Sequence, residues 1–326
     1  METIPIRKLL RALAVTTAFF GLAAWAQSYP TKPVRIIVPF PPGGVLDSLA
    51  RALGQRLQTS MGQPVFVENI AGASGNIGMA KCAKSPPDGY TICITTNDTV
   101  SFNPFLFKNM PLDPAEDLVP VQRLVWINGV LFTSVSSGFK SLVDALTTDR
   151  QKPGSVNWGS FGMGSTSHLY LSWLNDNKKT SFVHIPYKGS APLIQGALAG
   201  EVQLGFLASG ILMPHITAGK IFPLAVVGDK RLEALPNIPT LPESGIDFFI
   251  PTWFGSFAPK GTPGPIVERL NAEIAKALND RDLQQDFLDK QGFRVATTTP
   301  GEFSSFLKED RRSAAQLVKI ANVSMD

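Results

Sequence analysis

Apolar runs of strand length and segments of helical spacing alternate along the chain from residue 34 onward. Residues 34–38 form a continuous apolar run, which is typical of a strand buried on both faces. A helical pattern over 47–60 follows, with Gly62 just beyond its end. The later predicted elements are strands at 65–67, 91–95, 156–158, 182–185, 202–207 and 224–227, and helices at 74–84, 265–279, 282–290 and 300–321. This alternation predicts an α/β fold of parallel sheets covered by helices.

Two long, mostly uncharged stretches suggest that the chain crosses between two lobes. The first covers residues 119–134, with Gly129 near its middle, and the second covers residues 250–258. If the chain passes out and back at these points, residues 27–126 and 250–326 form lobe 1. Residues 127–249 then form lobe 2. A ligand would lie in the cleft between the lobes, where they can close on it.

The first 26 residues have the pattern of a signal peptide. A basic segment ends at Arg11, residues 12–26 carry no charge, and Ala24-Trp25-Ala26 is a small-x-small cleavage pattern. An uncleaved anchor is the alternative, but fifteen helical residues span only about 22 Å of a hydrocarbon core of about 30 Å. We therefore expect residues 1–26 to be removed, so that the exported protein begins at Gln27.

Charge and cysteine content exclude some classes of protein. Residues 1–26 carry three basic residues and one acidic residue, so the rest has 27 Lys and Arg against 25 Asp and Glu, a charge of +2. This even balance gives no support for nucleic-acid binding. The two cysteines, Cys82 and Cys93, lie on a predicted helix and the next strand. They form either a disulfide or two buried thiols, and neither arrangement is catalytic.

The turn at residues 38–47 is the sharpest local feature. It joins a buried strand to a helix, and Gly43 and Gly44 allow a ligand to approach their amides closely. Such a turn suits a carboxylate, which accepts hydrogen bonds from the free amides at the start of the helix. We expect Asp47 to cap the helix. No Gly-Lys-Ser/Thr follows, so a nucleotide site is not indicated.

Two further glycine-rich turns, at residues 71–76 and 159–168, also lead from strand to helix. All three turns could direct amides into one cleft, although each alone is typical of an ordinary tight turn. His168 near Ser165 or Ser167 raises the alternative of a hydrolase. The Gly-x-Ser-x-Gly elbow is absent, and no candidate for the orienting carboxylate of a triad stands out in the sequence.

The other two histidines, His184 and His215, are isolated, so we expect no metal site and no cofactor. Tyr187-Lys188-Gly189 places a phenol and a cation at a predicted strand end. The lysine is either part of a site or an ordinary solvated loop residue.

Ordered motifs along the whole exported chain resemble the Bug-type receptors of tripartite tricarboxylate transporters. The first signature is Pro39-Phe40-Pro41-Pro42-Gly43-Gly44, followed by Asp47 and Ala50-Arg51. Further matches are Val67-Glu68-Asn69, Gly75-Asn76-Ile77-Gly78, Pro87-Asp88-Gly89-Tyr90-Thr91, Gly164-Ser165 with His168-Leu169, Pro186-Tyr187-Lys188-Gly189, Ala218-Gly219-Lys220, Leu224-Ala225-Val226, Pro239-Thr240, Trp253-Phe254-Gly255, and Ala258-Pro259 with Thr262-Pro263.

The resemblance implies an α/β, two-lobe periplasmic binding protein fold (type II-like) with two interlobe crossings and a ligand cleft. It also implies capture of a small carboxylate for membrane permease subunits, with no catalysis, no nucleic acid and a monomeric state. Residues of the three turns and the strand ends are then predicted to bind the ligand: Phe40, Pro42, Gly43, Gly44, Val45, Asp47, Ser74, Asn76, Thr95, Ser160, Gly164, Ser165, Thr166, His168, Tyr187 and Leu207.

The sequence departs from the family pattern at Gln203 and Leu207, where acidic residues are common. If Leu207 faces the cleft, no carboxylate pairs with a ligand ammonium there, and an unpaired buried ammonium is costly. This favours a non-amino acid, with aromatic and dicarboxylic acids as candidates, although Leu207 fits plain core packing equally well. A ligand-sensing partner of a membrane sensor is the alternative function, since its fold and pocket would be the same.

Overall fold

The computed structural model describes residues 29–228 and 230–323, so the predicted signal peptide 1–26 lies outside it. These residues form two lobes, each built on one sheet. The strands of lobe 1 are β1 (Val34–Val38), β2 (Val65–Asn69), β3 (Thr91–Thr96), β4 (Leu118–Ile127), β10 (Thr252–Pro259) and β11 (Phe293–Val295). The strands of lobe 2 are β5 (Gly129–Ser134), β6 (Asn157–Ser160), β7 (Val183–Pro186), β8 (Leu204–Ala208) and β9 (Ile221–Val227). The strand orders are β11-β4-β10-β3-β1-β2 and β7-β6-β8-β5-β9.

Helices cover the sheets and follow most of the strands. They are α1 (Val45–Met61), α2 (Asn76–Ala83), α3 (Asn103–Leu106), α4 (Leu142–Gln151), α5 (Thr166–Asn177), α6 (Ser190–Ala199), α7 (Ser209–Thr217), α8 (Gly264–Leu278), α9 (Arg281–Leu283) and α10 (Pro300–Ala321). Gly62 ends α1 in the left-handed conformation, as its position just beyond the helical pattern predicts.

The sheets are mixed, so the prediction of parallel sheets is wrong in part. β10 runs antiparallel to β3 and β4, and β5 runs antiparallel to β8 and β9. These strands adjoin the points where the chain passes between the sheets. Consecutive parallel strands of one sheet are joined by a right-handed helical crossover, but a strand that the chain enters from the other lobe is free of this constraint and can run antiparallel. The three-residue strand β11 was also not predicted, because so short a segment shows no alternation.

The continuous apolar run of β1 is explained by helices on both faces of its sheet. Ile36 and Val38 belong to the cluster that α1 and α8 cover. Ile37 points to the opposite face, where it joins Met79 of α2 and Phe303 of α10. Because side chains alternate along a strand, a strand buried on both faces must be apolar throughout.

Lobe 2 is packed in the same way, and the last helix contacts both lobes. Phe303 of α10 lies in a lobe 1 cluster, whereas Ala314 and Val318 lie in the cluster that contains Trp158 and Leu171 of lobe 2. Because α10 packs on both lobes, the predicted residue boundaries of the lobes remain a prediction.

A disulfide joins Cys82 of α2 to Cys93 of β3, whose Cα atoms are 6.1 Å apart. Both cysteines are fully buried, so the bond lies inside lobe 1 between helix and sheet. Of the two arrangements left open by the sequence, the structure contains the disulfide. Among the described residues, no helix is long and apolar enough to cross a membrane.

Candidate functional site

The cleft between the lobes lies at the carboxyl ends of the parallel strands. β1, β2 and β3 direct their following turns into it from lobe 1, and β6, β7 and β8 do so from lobe 2. In α/β proteins these ends are where ligands bind, because the turns there are free to vary and present helix starts. The topology therefore brings the three glycine-rich turns to one place.

Two adjoining cavities occupy this cleft. The inner cavity has a volume of about 80 Å³ and the outer one about 620 Å³. The residues shared by both linings are Phe40, Pro41, Phe161, Lys188 and Gly189. Each lobe contributes to both cavities, so a ligand held here would touch both halves of the protein.

The first turn presents the uncapped start of a long helix to the inner cavity. Gly44 is the N-cap of α1 and no side chain caps the helix. Val45 and Leu46, the first two residues of the helix, line the cavity. The first amides of a helix have no intrahelical acceptor, so they remain available to an anion. The start of α1 therefore supplies free donors on the cavity wall, at the turn where the sequence predicts a carboxylate.

Asp47 braces this turn, although it is not the N-cap that the sequence suggested. Its Oδ2 atom accepts hydrogen bonds from Gly43 N at 3.0 Å and from Arg51 Nε at 3.1 Å. Its Oδ1 atom accepts one from Asn69 Nδ2 at 2.9 Å and pairs with Arg51 Nη2 at 2.9 Å. Burial tends to raise the pKa of Asp47, but the Arg51, Gly43 and Asn69 hydrogen bonds outweigh it and lower the pKa. Arg51 thereby compensates the Asp47 charge beside the cradle.

The second and third turns meet across the outer cavity. Ser74 Oγ of lobe 1 donates a 2.6 Å hydrogen bond to the carbonyl oxygen of Met163 in lobe 2. Close approach also occurs at the first turn, where a Cβ on Gly44 would lie 3.0 Å from Ser190 Oγ of α6. The two lobes therefore approach each other directly across the cleft.

Asp98 forms a further contact between the lobes and was not among the predicted site residues. Thr166 N, at 3.1 Å, and Thr166 Oγ1 both donate to its Oδ1 atom, at the start of α5. Asp98 is 4% exposed and lines the inner cavity. Burial raises its pKa to about 6, while the Thr166 hydrogen bonds act against this rise. At neutral pH the cleft therefore contains a buried carboxylate already bound to the other lobe.

His168 and His184 lie behind the third turn. Their rings stack with centroids 4.1 Å apart, and Ser160 Oγ lies 2.7 Å from His184 Nε2. Gly164 N donates to His168 Nδ1 at 3.0 Å. Burial lowers the pKa of His168 to about 4, and burial together with His168 lowers that of His184 to about 4. Both rings are neutral at pH 7 and hold the turn through their ring nitrogens.

This pair predicts an acid-sensitive lobe. A histidine pKa below its unfolded value gives stability that is full above about pH 6.5 and is lost as pH falls towards 4. Acidification from pH 7 to 4.5 should lower the free energy of unfolding of both the wild type and the double variant His168→Gln/His184→Gln. With allowance for partial exposure of the rings, the decrease should be about 2 kcal/mol larger for the wild type. Denaturant unfolding at both pH values measures this difference. The raised pKa of Asp98 acts in the opposite direction but is common to both proteins and cancels.

His215→Gln is the matched control, because His215 is a histidine of α7 outside the stacked pair. It should leave the wild-type pH dependence of stability unchanged. Equal slopes for wild type and the double variant would contradict the assignment of acid sensitivity to the pair.

The structure distributes the predicted binding residues over the cleft and the layer behind it. Those that line the inner cavity are Phe40, Pro42, Gly44, Val45, Asp47 and Leu207. Ser74 and Tyr187 line the outer cavity, and Ser165 lines a small cavity between the two turns. The residues outside these linings are Gly43, Asn76, Thr95, Ser160, Gly164, Thr166 and His168.

Several residues on and behind the cavity linings hold the turns in place. Asn103 Nδ2 donates both to Ser74 O and to Asn76 Oδ1. Ser165 is the N-cap of α5, accepting from His168 N and donating to Gly162 O. Ser165 Oγ is thus engaged in capping the helix, whereas the imidazole of His168 contacts Gly164 and His184 instead.

Other cavity residues went unpredicted because their pattern in the sequence is ordinary. Phe161, Phe206 and Phe254 belong to a turn and to strands whose apolar residues fit a core equally well, and Ser190 begins α6. Lys188 stands at the mouth of both cavities, exposed and in no ion pair among the described residues. Its position at a strand end was the one available signal. No group of His, Cys, Asp or Glu within the described residues could hold a metal ion.

A two-lobe α/β fold with a cleft between the lobes is the fold of periplasmic solute-binding proteins. The model of the tripartite tricarboxylate transporter family receptor matches residues 49–323, and the chain belongs to this family. It is 34% identical to BugT of Bordetella pertussis over 316 residues, covering 96% of this chain and 97% of BugT.

Solved structures agree over nearly the whole chain. The R. palustris protein Rpa4515 with adipate is 32% identical, with a TM-score of 0.86 and coverage of 91% of this chain and 99% of that protein. The periplasmic binding protein BugD is 30% identical, with a TM-score of 0.86 and coverage of 91% and 100%. The family is one of solute-binding receptors and not of enzymes.

Proposed function

We propose that this protein captures a small non-amino organic acid in the periplasm and delivers it to the permease subunits of a tripartite tricarboxylate transporter. Aromatic and dicarboxylic acids are the candidate cargoes. The protein acts as a monomer, without chemistry on the ligand, after cleavage of residues 1–26. Lobe 1 comprises residues 27–126 and 250–326, and lobe 2 comprises residues 127–249.

The observation that carries this proposal is the uncapped start of α1 on the wall of the inner cavity. Amides of Gly44, Val45 and Leu46 are free to donate to a carboxylate, and Lys188 adds a positive charge at the mouth. Each hydrogen bond to a charged group contributes about 1.5–3 kcal/mol, and the helix dipole adds about 0.3–1 kcal/mol. The Asp47 charge is compensated by Arg51 and repels the ligand little.

The rest of the inner cavity suits an apolar body. Its wall includes aromatic rings from both lobes, contributed by Phe40, Phe161, Phe206 and Phe254. Leu207 lines the cavity, which supports the preference for acids without an amino group. Gln203 is used in the fold, since its Oε1 atom accepts from Asn157 N at 2.8 Å.

Relatives support binding of a carboxylate by this fold. Rpa4515, with 32% identity, was solved with adipate, which is a dicarboxylate. Because both lobes line the cavities here, a ligand that contacts both favours closure, whereas one that contacts a single lobe leaves the equilibrium unchanged.

A thermal-shift screen of the purified protein tests the proposal. The panel contains aromatic acids, dicarboxylic and tricarboxylic acids, amino acids, and the neutral amide of each acid. An acid present at 100 times its Kd should stabilise the protein by about 2.7 kcal/mol, which corresponds to a rise in Tm of about 4 °C. Its amide should give no rise, because the uncapped amides and Lys188 would lose their anionic partner.

Two outcomes would contradict the proposal. If neutral amides stabilise the protein as well as acids do, the first turn is not a carboxylate site. If mass spectrometry shows that a bound acid ester is hydrolysed, and His168→Ala abolishes the hydrolysis, the protein is an enzyme. Recovery of the ligand unchanged agrees with a receptor.

A further inference from the structure

Asp98 places a negative charge on the wall of the inner cavity. The residue follows β3 in lobe 1, and its Oδ1 atom accepts hydrogen bonds from Thr166 N and Thr166 Oγ1 of lobe 2. It lines the inner cavity and is 4% exposed. Within the described residues, no lysine or arginine forms an ion pair with it. The protein thus supplies its own carboxylate to the start of α5.

This carboxylate occupies the donors that a second ligand carboxylate would need. α1 and α5 both begin at the cleft, one in each lobe. The start of α1 is open, but the first amide of α5 is already bound to Asp98. A diacid held at α1 would bring its far carboxylate towards Asp98, and like charges in a buried site repel strongly.

A second buried polar group at the same cavity still lacks a partner. Thr96 is 7% exposed and lines the inner cavity, and its Oγ1 atom makes no hydrogen bond among the described residues. A hydroxyl satisfies its hydrogen bonds with a neutral donor or acceptor, so it needs no charged ligand group. The same lining includes the apolar side chains of Phe206, Leu207 and Phe254.

We infer that Asp98 selects against a second carboxylate, so that the cargo is a monocarboxylic acid with an uncharged, largely apolar body. This inference rests on the proposed function and narrows it, since it retains aromatic acids and removes dicarboxylic ones. Asp98 needs no ligand ammonium, because the α5 donors and the positive end of that helix already stabilise its charge.

Paired acids of equal shape test the inference by titration calorimetry at pH 7.5. The probes are hexanoate against adipate, and 4-methylbenzoate against terephthalate. Wild type should bind the monoacid of at least one pair about tenfold or more tightly than the diacid. Asp98→Asn keeps the shape and an acceptor oxygen but removes the charge, so the preference should fall to about threefold or less.

Asp149→Asn is the matched control. Asp149 is also a buried acid, 2% exposed, whose carboxylate accepts hydrogen bonds from Gly154 N and Ser181 N within lobe 2, and it does not line the inner cavity. This variant should keep the wild-type preference. If Asp98→Asn does not fold, the comparison of monoacids with diacids in the wild-type protein still tests the inference.

The outcomes separate this inference from the proposed function. If acids bind but wild type prefers the diacids, or Asp98→Asn leaves the preference unchanged, the inference is wrong and the receptor function stands. Tight binding of 4-(aminomethyl)benzoate that Asp98→Asn abolishes would instead make Asp98 an ammonium site and overturn the inference. If no acid of either kind binds, the proposed function fails first.

Discussion

Gly78→Ala should destabilise the protein by about 3 kcal/mol and lower its Tm by about 5 °C. Gly78 lies in α2, and an added Cβ would lie 2.5 Å from the carbonyl oxygen of Ile70 and 2.8 Å from Pro39 Cα. Both contacts are backbone atoms, so no side chain can rotate away to relieve them. Pro39 begins the first turn and Ile70 leads into the second, so ligand affinity should fall as well. Denaturant unfolding and calorimetry measure the two effects.

Gly54→Ala is the matched control in α1. Its Cβ would lie 3.6 Å from Val65 Cγ1 and 3.9 Å from Ile36 Cδ1, which are ordinary contacts. Alanine is the better helix former, so this variant should be about 0.5–1 kcal/mol more stable than wild type. If the two variants were equally stable, the backbone near Gly78 could move to accept the added Cβ. The close packing of the two turns would then not be required for stability.

Gly44→Val should weaken ligand binding at least about 100-fold while stability changes by about 1 kcal/mol or less. The backbone of Gly44 has φ −83° and ψ 170°, which any residue can adopt. The valine Cβ would lie 3.0 Å from Ser190 Oγ, and its methyl groups would fill the space above the α1 amides. The variant both hinders closure and shields the carboxylate donors, so two effects on affinity combine. Calorimetry with an acid found in the screen measures the loss.

Two further variants show which effect dominates. Gly43→Ala adds a Cβ that meets nothing within 4 Å, but φ is +84° there. It should therefore cost about 1 kcal/mol of stability with a much smaller loss of affinity. Ser190→Gly, added to Gly44→Val, should restore part of the affinity by making room for closure. If Gly44→Val binds like wild type, the ligand does not lie at the first turn.

Much of the fold could be predicted because its elements depend on local patterns. β1 and α10 have the predicted bounds, and α1 begins two residues earlier than expected because Gly44, not Asp47, is its N-cap. Strand direction could not be predicted in the same way. The antiparallel pairing of β10 and β5 depends on which sheet the chain enters after each crossing, and spacing along the chain does not encode this.

The site was predicted where chemistry is local and missed where it depends on contacts between the lobes. The turn of Gly43 and Gly44 is recognisable because glycines between a strand and a helix start make a donor-rich turn. Asp98, by contrast, is one acid after a strand, and such acids are usually solvated. The stacking of His168 on His184 was also hidden, since His184 seemed isolated in the sequence and His168 was considered only with Ser165 and Ser167.

The sequence by itself determined the strand and helix framework, the three turns and the family resemblance, because periodicity and glycine positions act over a few residues. Only the tertiary structure decided which charges remain available in the cleft. Asp98 and Thr166 are 68 residues apart in sequence, and they meet because the two lobes close face to face. That contact buries a carboxylate at the start of α5 and leaves the start of α1 open. The start of α1 is open and the start of α5 is occupied because of how the lobes pack together. Short-range sequence patterns do not predict that packing.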